Sequence, residues 1–332
     1  GNYIVPTMFG EPYYNKPPLF FWLTSPFTNT KNVEKVTRSL SVFSLVLFGL
    51  IVFLLLRKKR GKYHALAVSF FTLTSWHVLS YLSFTVNLDV LFSIFIFTLF
   101  YVNYKIPITK NPLYYFILSY LLCTLAFFTK GLPALWFQMI SLIISVLIQK
   151  KFKLIFSIKH LIGIILFLIS VGAYILIYSK EAQSINYIKQ LINESVNVYE
   201  YATLTKLKHF ILFPAKNMYH YAPLALLIPI LLMRRYFIGL IKNIEMSYFL
   251  LVLVAGISVF WTSPFYKAYY TLMFTPILFD LLLNMTNIFS KDKFKFTLKY
   301  LFISIALIIL SNLIYNNLYY LLLIIPFLLL ML

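Results

Sequence analysis

The chain of 332 residues is 61% hydrophobic and 11% charged, with a mean hydropathy of +0.85, whereas a soluble domain carries about 25% charged residues. That composition excludes a soluble globular fold, and a membrane barrel is excluded too, because stretches such as 45–56 and 162–177 are apolar on every face instead of alternating. The net charge of +20 is distributed as punctuation between apolar runs and forms no basic face, so it reports membrane topology and gives no reason to expect nucleic acid as a partner.

In chain order, residues 1–37 read as an outer loop. Within it, Lys16-Pro17-Pro18 opens a helix over 16–31 that lies on the membrane, with Leu19, Phe20, Phe21, Trp22 and Leu23 suited to the bilayer interface. Eleven apolar runs of spanning length follow, near 38–56, 63–84, 86–104, 112–128, 131–149, 157–179, 219–233, 246–262, 269–288, 297–315 and 318–332. The loop at 180–218 interrupts them, and Ile188, Leu191 and Ile192 at helical spacing predict an amphipathic helix that caps the outer face. With the first loop outside, the inner loops hold 18 of the 29 lysines and arginines, led by Arg57 to Lys62 and Lys150 to Lys153. The reading is an all-α polytopic membrane protein forming a single membrane domain over 1–332, with further chain expected at each end.

The first loop contains Gly1-Asn2-Tyr3-Ile4-Val5-Pro6, Gly10-Glu11-Pro12-Tyr13 and Lys16-Pro17-Pro18-Leu19 with Trp22. This pattern resembles the "GEPY...KPPL..W" signature of the C-type (GT-C) glycosyltransferases related to the lipid A aminoarabinose transferases and protein O-mannosyltransferases. Thr37-Arg38, Asp89, Thr129-Lys130-Gly131 and the Ser263-Pro264, Lys267, Tyr270 segment follow in the family's order. The last of these is similar to the family's "SP..R.RY", although Lys267 stands for one arginine and Tyr269 for the other. The resemblance implies a GT-C fold and inverting transfer of a sugar from a polyprenyl-phosphate donor to a lipid or protein acceptor, at the outer face of a bacterial inner membrane. It also implies a catalytic carboxylate in an Asp-Glu pair ahead of Gly1, so that the chain alone is expected to lack turnover.

Displacing a lipid phosphate from a sugar leaves negative charge on phosphate oxygens, so the site needs cations there and a carboxylate at the acceptor. Positive-inside topology puts Glu11, Lys16, Asp89, Lys130 and Lys267 at one face. Lys16 either contacts donor phosphate or anchors the interfacial helix by reaching to head groups. Asp89 lines the site or joins a structural network with Thr85 and Asn87. Lys130 lines the site or ends its helix favourably, and Glu11 acts on substrate or braces its loop. Tyr13, Tyr270 and His220, the last beside Tyr219 and Tyr221, complete the candidate donor-binding set. Asp280 reads as a helix-packing residue.

No cofactor is expected. The five histidines lack metal-ligand spacing, and Asn15 stands where some relatives place a metal-binding glutamate before the signature lysine, which leaves only loose divalent binding open. Cys123 is the single cysteine, so no disulfide framework arises. The expected partners are the polyprenyl-phosphate sugar, a lipid or protein acceptor and membrane lipids. Two rival classes stay open, a transporter of lipid-linked sugars and a non-catalytic protein of the same fold. A transporter should gather broken helices and polar groups at the midplane, whereas here the informative residues crowd one face.

Overall fold

An apolar chain in hydrocarbon must satisfy its backbone within each segment, and helices do this. The computed structural model describes residues 4–8, 11–29, 31–83, 85–182, 184–196, 203–222, 224, 234–263 and 267–286. A two-stranded antiparallel hairpin, β1 (Thr7–Met8) and β2 (Glu11–Pro12), leads into α1 (Leu19–Thr24). The main helices are α2 (Val33–Arg60), α3 (Lys62–Leu73), α4 (Leu88–Lys105), α5 (Leu113–Lys130), α6 (Pro133–Ile148) and α7 (Ile158–Tyr178). Then come α8 (Ser184–Val196), α9 (Thr203–His220), α10 (Arg234–Lys242), α11 (Ile244–Thr262) and α12 (Thr275–Thr286). Five of these, α2, α4, α5, α7 and α11, are long and apolar enough to cross a membrane. The predicted spans at 297–315 and 318–332, and most of the one at 219–233, lie outside the described residues.

Two expected spans are broken helices. The run at 63–84 is α helix only to Leu73, because Thr72, Thr74 and Ser75 turn their hydroxyls back onto the carbonyls of Val68, Phe70 and Thr72. The backbone then resumes as a wide helical turn over Val78–Leu82, in which the Ser83 amide donates to the Val78 carbonyl at 3.0 Å. The run at 269–288 starts as a 3-10 stretch, Ala268–Phe274, and becomes α12 where Pro276 occupies the first turn and removes no helical bond. The interfacial helix is also shorter than 16–31, since Pro26 converts its end into a 3-10 turn over Ser25–Phe27. Its Trp22 packs inward on Phe128 and Tyr174, each at 5.7 Å between ring centroids, while Phe21 and Leu23 stay exposed.

The core sits on α4, which packs against α2, α5, α6 and the 3-10 stretch. With 18 residues, α4 is about 27 Å long, enough to separate Asp89 at its start from Lys105 at its end by nearly a bilayer core. Small residues allow close helix approach. A Cβ on Gly49 of α2 would lie 2.5 Å from Leu73, one on Gly163 of α7 would lie 2.4 Å from Tyr120, and one on Gly256 of α11 would lie 2.1 Å from Phe274. A buried polar hub joins three helices, with the Asn103 amide donating to Gln138 Oε1 (3.1 Å) and Ser141 Oγ (2.8 Å) of α6, Ser145 Oγ donating to the Asn103 carbonyl (2.8 Å), and Ser119 Oγ of α5 donating to Gln138 Oε1 (2.8 Å).

At the basic end, Arg60 Nε lies 3.3 Å from both carboxylate oxygens of Asp280, whose Oδ1 is 2.7 Å from His64 Nε2 and from the Asn284 amide. Glu245 adds a contact to Lys59 (2.6 Å) and to Arg60 (3.6 Å). Asp280 is thus a packing residue, as expected, that ties α12 to α2 and α3. Because its side chain is 4% exposed, Arg60→Met, which removes its cationic partner, is expected to destabilise the protein by about 3 kcal/mol. Lowered thermal stability in detergent checks this, and the Arg60→Met, Asp280→Asn pair should recover much of the loss.

Candidate functional site

At the other end of α4, Asn87 caps the helix by accepting from the Asp89 amide at 2.7 Å, and its own amide donates to Ser41 Oγ at 3.1 Å. The cap fixes Asp89 in the first turn, where the helix dipole favours a carboxylate. The Asp89 side chain does not turn to Thr85 or Asn87. It forms an ion pair with Lys130 Nζ, from the last turn of α5, and the two side chains are 8% and 16% exposed. Lys130 also lies over the ring of Tyr270 at 3.7 Å and near that of Phe92 at 5.4 Å. Three of the predicted residues, Asp89, Lys130 and Tyr270, are therefore brought together from three distant parts of the chain.

Gly131 makes this placement possible. It ends α5 at φ 83° and ψ −140°, a region essentially reserved for glycine, and its amide donates to the Phe127 carbonyl at 2.7 Å. A Cβ there would stand 3.2 Å from Leu191 of α8 and 3.9 Å from Pro17. The turn after Lys130 is thus roofed by α8 and by the residue following Lys16. Tyr187 and Leu191 are the buried side of α8 in this roof. Tyr174 extends the roof, donating from its hydroxyl to the Ile4 carbonyl at 3.0 Å.

Lys267 is exposed at the head of the 3-10 stretch, 5.8 Å from the centroid of the Tyr269 ring. Its ammonium is held above the usual lysine range, chiefly by a hydrogen bond with Tyr269, with Tyr81 and Asp89 adding to the effect. Tyr269 stacks on Tyr81 at 5.4 Å and 5° and meets Tyr270 edge-on at 4.9 Å. His220, at the end of α9, accepts at its backbone carbonyl from His77 Nδ1 at 2.9 Å, and so braces the turn that carries Tyr81. Lys16 is half-buried beside Pro17. Tyr13 packs edge-on to Phe21 at 6.4 Å, and Glu11 is exposed on β2. Among the described residues, no group of three or more His, Cys, Asp or Glu is arranged to hold a metal. Pro264 and the side chain of Tyr219 lie outside the described residues.

Residues 15–176 match the family model described as dolichyl-phosphate-mannose-protein mannosyltransferase. The fold is similar to ArnT from Cupriavidus metallidurans bound to undecaprenyl phosphate, with a TM-score of 0.68 at 14% identity over 89% of this chain and 54% of that one. The chain has an ArnT-like GT-C fold. The apo state of the same ArnT matches at a TM-score of 0.64 and 13% identity, over 89% of this chain and 53% of that one. This GT-C chain thus spans about half the length of the ArnT chains it matches. No curated protein matches it by sequence.

The residues missed by sequence reasoning are Tyr81 and Phe92. Tyr81 falls in an apolar run with nothing to mark it, and its partner Tyr269 was noticed only as a departure from arginine. The ion pair itself generates a test. Lys130→Met leaves Asp89 buried without its cation, and the expected loss is about 3 kcal/mol. Lys130→Met combined with Asp89→Asn should be less destabilised than Lys130→Met alone, as measured by thermal melts. Equal melts for the two would show that the pair carries no coupling.

Proposed function

We propose that this GT-C chain provides the donor-binding membrane domain of a glycosyltransferase that moves a sugar from a polyprenyl phosphate to a lipid or protein acceptor. The observation that carries the reading is the cluster at the start of α4, where Asp89, Lys130 and Tyr270 meet beside Lys267 and under the roof that includes Pro17. The family model's dolichyl-phosphate donor and the undecaprenyl phosphate held by ArnT support a lipid phosphate as the ligand.

In the transfer, the acceptor oxygen forms a bond to C1 of the sugar as the bond from C1 to the phosphate oxygen breaks, inverting the anomeric centre. The acceptor proton passes to a carboxylate base, and the lipid phosphate leaves with an added negative charge. The chain's own residues serve that leaving group. Asp89 neutralises Lys130 and holds it against Tyr270, so the pair positions the site, while Lys16 and Lys267 supply net positive charge to the phosphate. Glu11, Tyr13 and His220 take supporting places in the surrounding loops. A lipid-linked donor reaches such a site from the bilayer, its chain in the lipid and its head group at the aqueous boundary.

We place this end outside the bacterial inner membrane, on the support of the basic inner loops. Single cysteines at position 195 should label with an impermeant thiol reagent in intact cells, and those at position 60 should not, with buried Cys123 as the silent background. The reverse pattern would invert the topology. For the donor site, a charge-assisted contact to phosphate is worth about 1.5–3 kcal/mol, so Lys16→Gln should weaken undecaprenyl phosphate binding by more than about tenfold. Lys16→Arg should keep part of the affinity. Unchanged affinity in a well-inserted Lys16→Gln protein would leave Lys16 as a membrane anchor only.

A further inference from the structure

Among the aromatic side chains around the site, Tyr81 stands out by its exposure. Phe92 is 2% exposed, whereas Tyr81 is 45% exposed even though it belongs to a helical turn. Its ring lies within 5° of parallel to that of Tyr269 with centroids 5.4 Å apart, so Tyr269 backs one face of the Tyr81 ring and the stack ends in a flat aromatic face. Exposure alone does not mark the pair, since Tyr63 and Tyr114 are more exposed still. This surface is built on the one wide helical turn among the described residues, Val78–Leu82, and such turns cost hydrogen-bond geometry and recur at functional sites. The turn is anchored from behind, by the Trp76 amide donating to the Ala222 carbonyl at 3.1 Å and by His77 on His220.

The flat surface also adjoins the cations. Lys267 Nζ lies 5.8 Å from the centre of the Tyr269 ring, and Tyr269 meets Tyr270, on whose ring Lys130 rests. A phosphate at Lys267 therefore has aromatic rings beside it for the group esterified to it. In a glycosyl phosphate that group is a sugar ring, whose axial C–H bonds carry partial positive charge and complement the negative face of an aromatic ring.

We infer that the stacked Tyr81–Tyr269 pair is a platform for the sugar ring of the lipid-linked donor, set beside the cations that hold its phosphate. The inference rests on the donor-binding reading above and adds a residue that discriminates the glycosylated lipid from the bare one. Tyr81 makes that discrimination with its ring face and not with its hydroxyl.

The test measures affinities of the protein in nanodiscs for undecaprenyl phosphate and for undecaprenyl-phosphoryl mannose and glucose. Wild type should prefer at least one glycosylated lipid over the bare one. Tyr81→Ser should erase about 3- to 10-fold of that preference while leaving affinity for the bare phosphate unchanged. Tyr81→Phe should keep the preference, and Tyr81→Leu, which retains apolar bulk without a ring face, should lose it and so serves if the serine variant folds poorly. A wild type without preference, a Tyr81→Leu protein that keeps it, or a variant that loses both lipids equally would overturn the platform. Lys16→Gln separates the two readings, because it should weaken all three lipids. If it weakens none, donor binding itself fails, whereas weakening of all three with an unaltered Tyr81→Leu preference sinks only the platform.

Discussion

A carboxylate carried into an apolar helix bundle must meet a cation there, since the effective cost of burying either ion alone is several kcal/mol. Asp89 and Asp280 each impose this condition at opposite ends of the molecule. Asp89 forces the start of α4 against the end of α5 through Lys130, and Asp280 forces α12 against α2 and α3 through Arg60 and His64. Between these two fixed points run the 3-10 stretch and α12, so the register of the segment that presents Lys267 and Tyr270 is set from both sides. The charges gain little net stability over an apolar isostere; what they fix is which helices meet and at which level.

The middle of the bundle is held differently. Hydrophobic attraction between helices is weak when the solvent is itself hydrocarbon, so packing and satisfied hydrogen bonds decide the arrangement. The Asn103 hub joins α4 to α6, and Ser119 of α5 donates to Gln138 Oε1 at 2.8 Å, bringing the third helix in. Tyr120 and His160 join α5 to α7 at 2.7 Å beside Gly163, where the two helices come close. The result is a stiff frame of α4 to α7 that carries Lys130 at one corner.

Much of the frame was legible in the sequence because a membrane helix declares itself by length and hydropathy alone. The spans at 86–104, 112–128 and 157–179 match α4, α5 and α7 within a few residues. The broken spans were not legible. Hydropathy is blind to the hydroxyls of Thr72, Thr74 and Ser75, which are uncharged yet turn the backbone, and to the 3-10 winding before Pro276. The site was half legible. Asp89 and Lys130 stand out because charges within apolar runs are rare, and the resemblance pointed to Tyr270. That these three touch could not be read, since their contact depends on the glycine-only conformation at Gly131 and on helix rotations fixed by the polar hub. Tyr81 had no signal at all, as an aromatic residue in an apolar run looks the same whether it faces lipid, core or ligand.

Gly256 shows how far the site extends beyond its own residues. It sits in the apolar interior of α11, where the ring of Phe274 fills the space its missing side chain leaves, and Phe274 closes the 3-10 stretch that begins at Ala268, just after Lys267. A methyl group at 256 would displace that ring, which also packs on Phe100 and Phe137, and so would load the stretch that carries the tyrosines at its head. Any constraint on those tyrosines therefore reaches a residue buried in another helix. Drift at position 256 should be confined to glycine for as long as the outer tyrosines are under selection, and lineages that abandon them should be free to refill it.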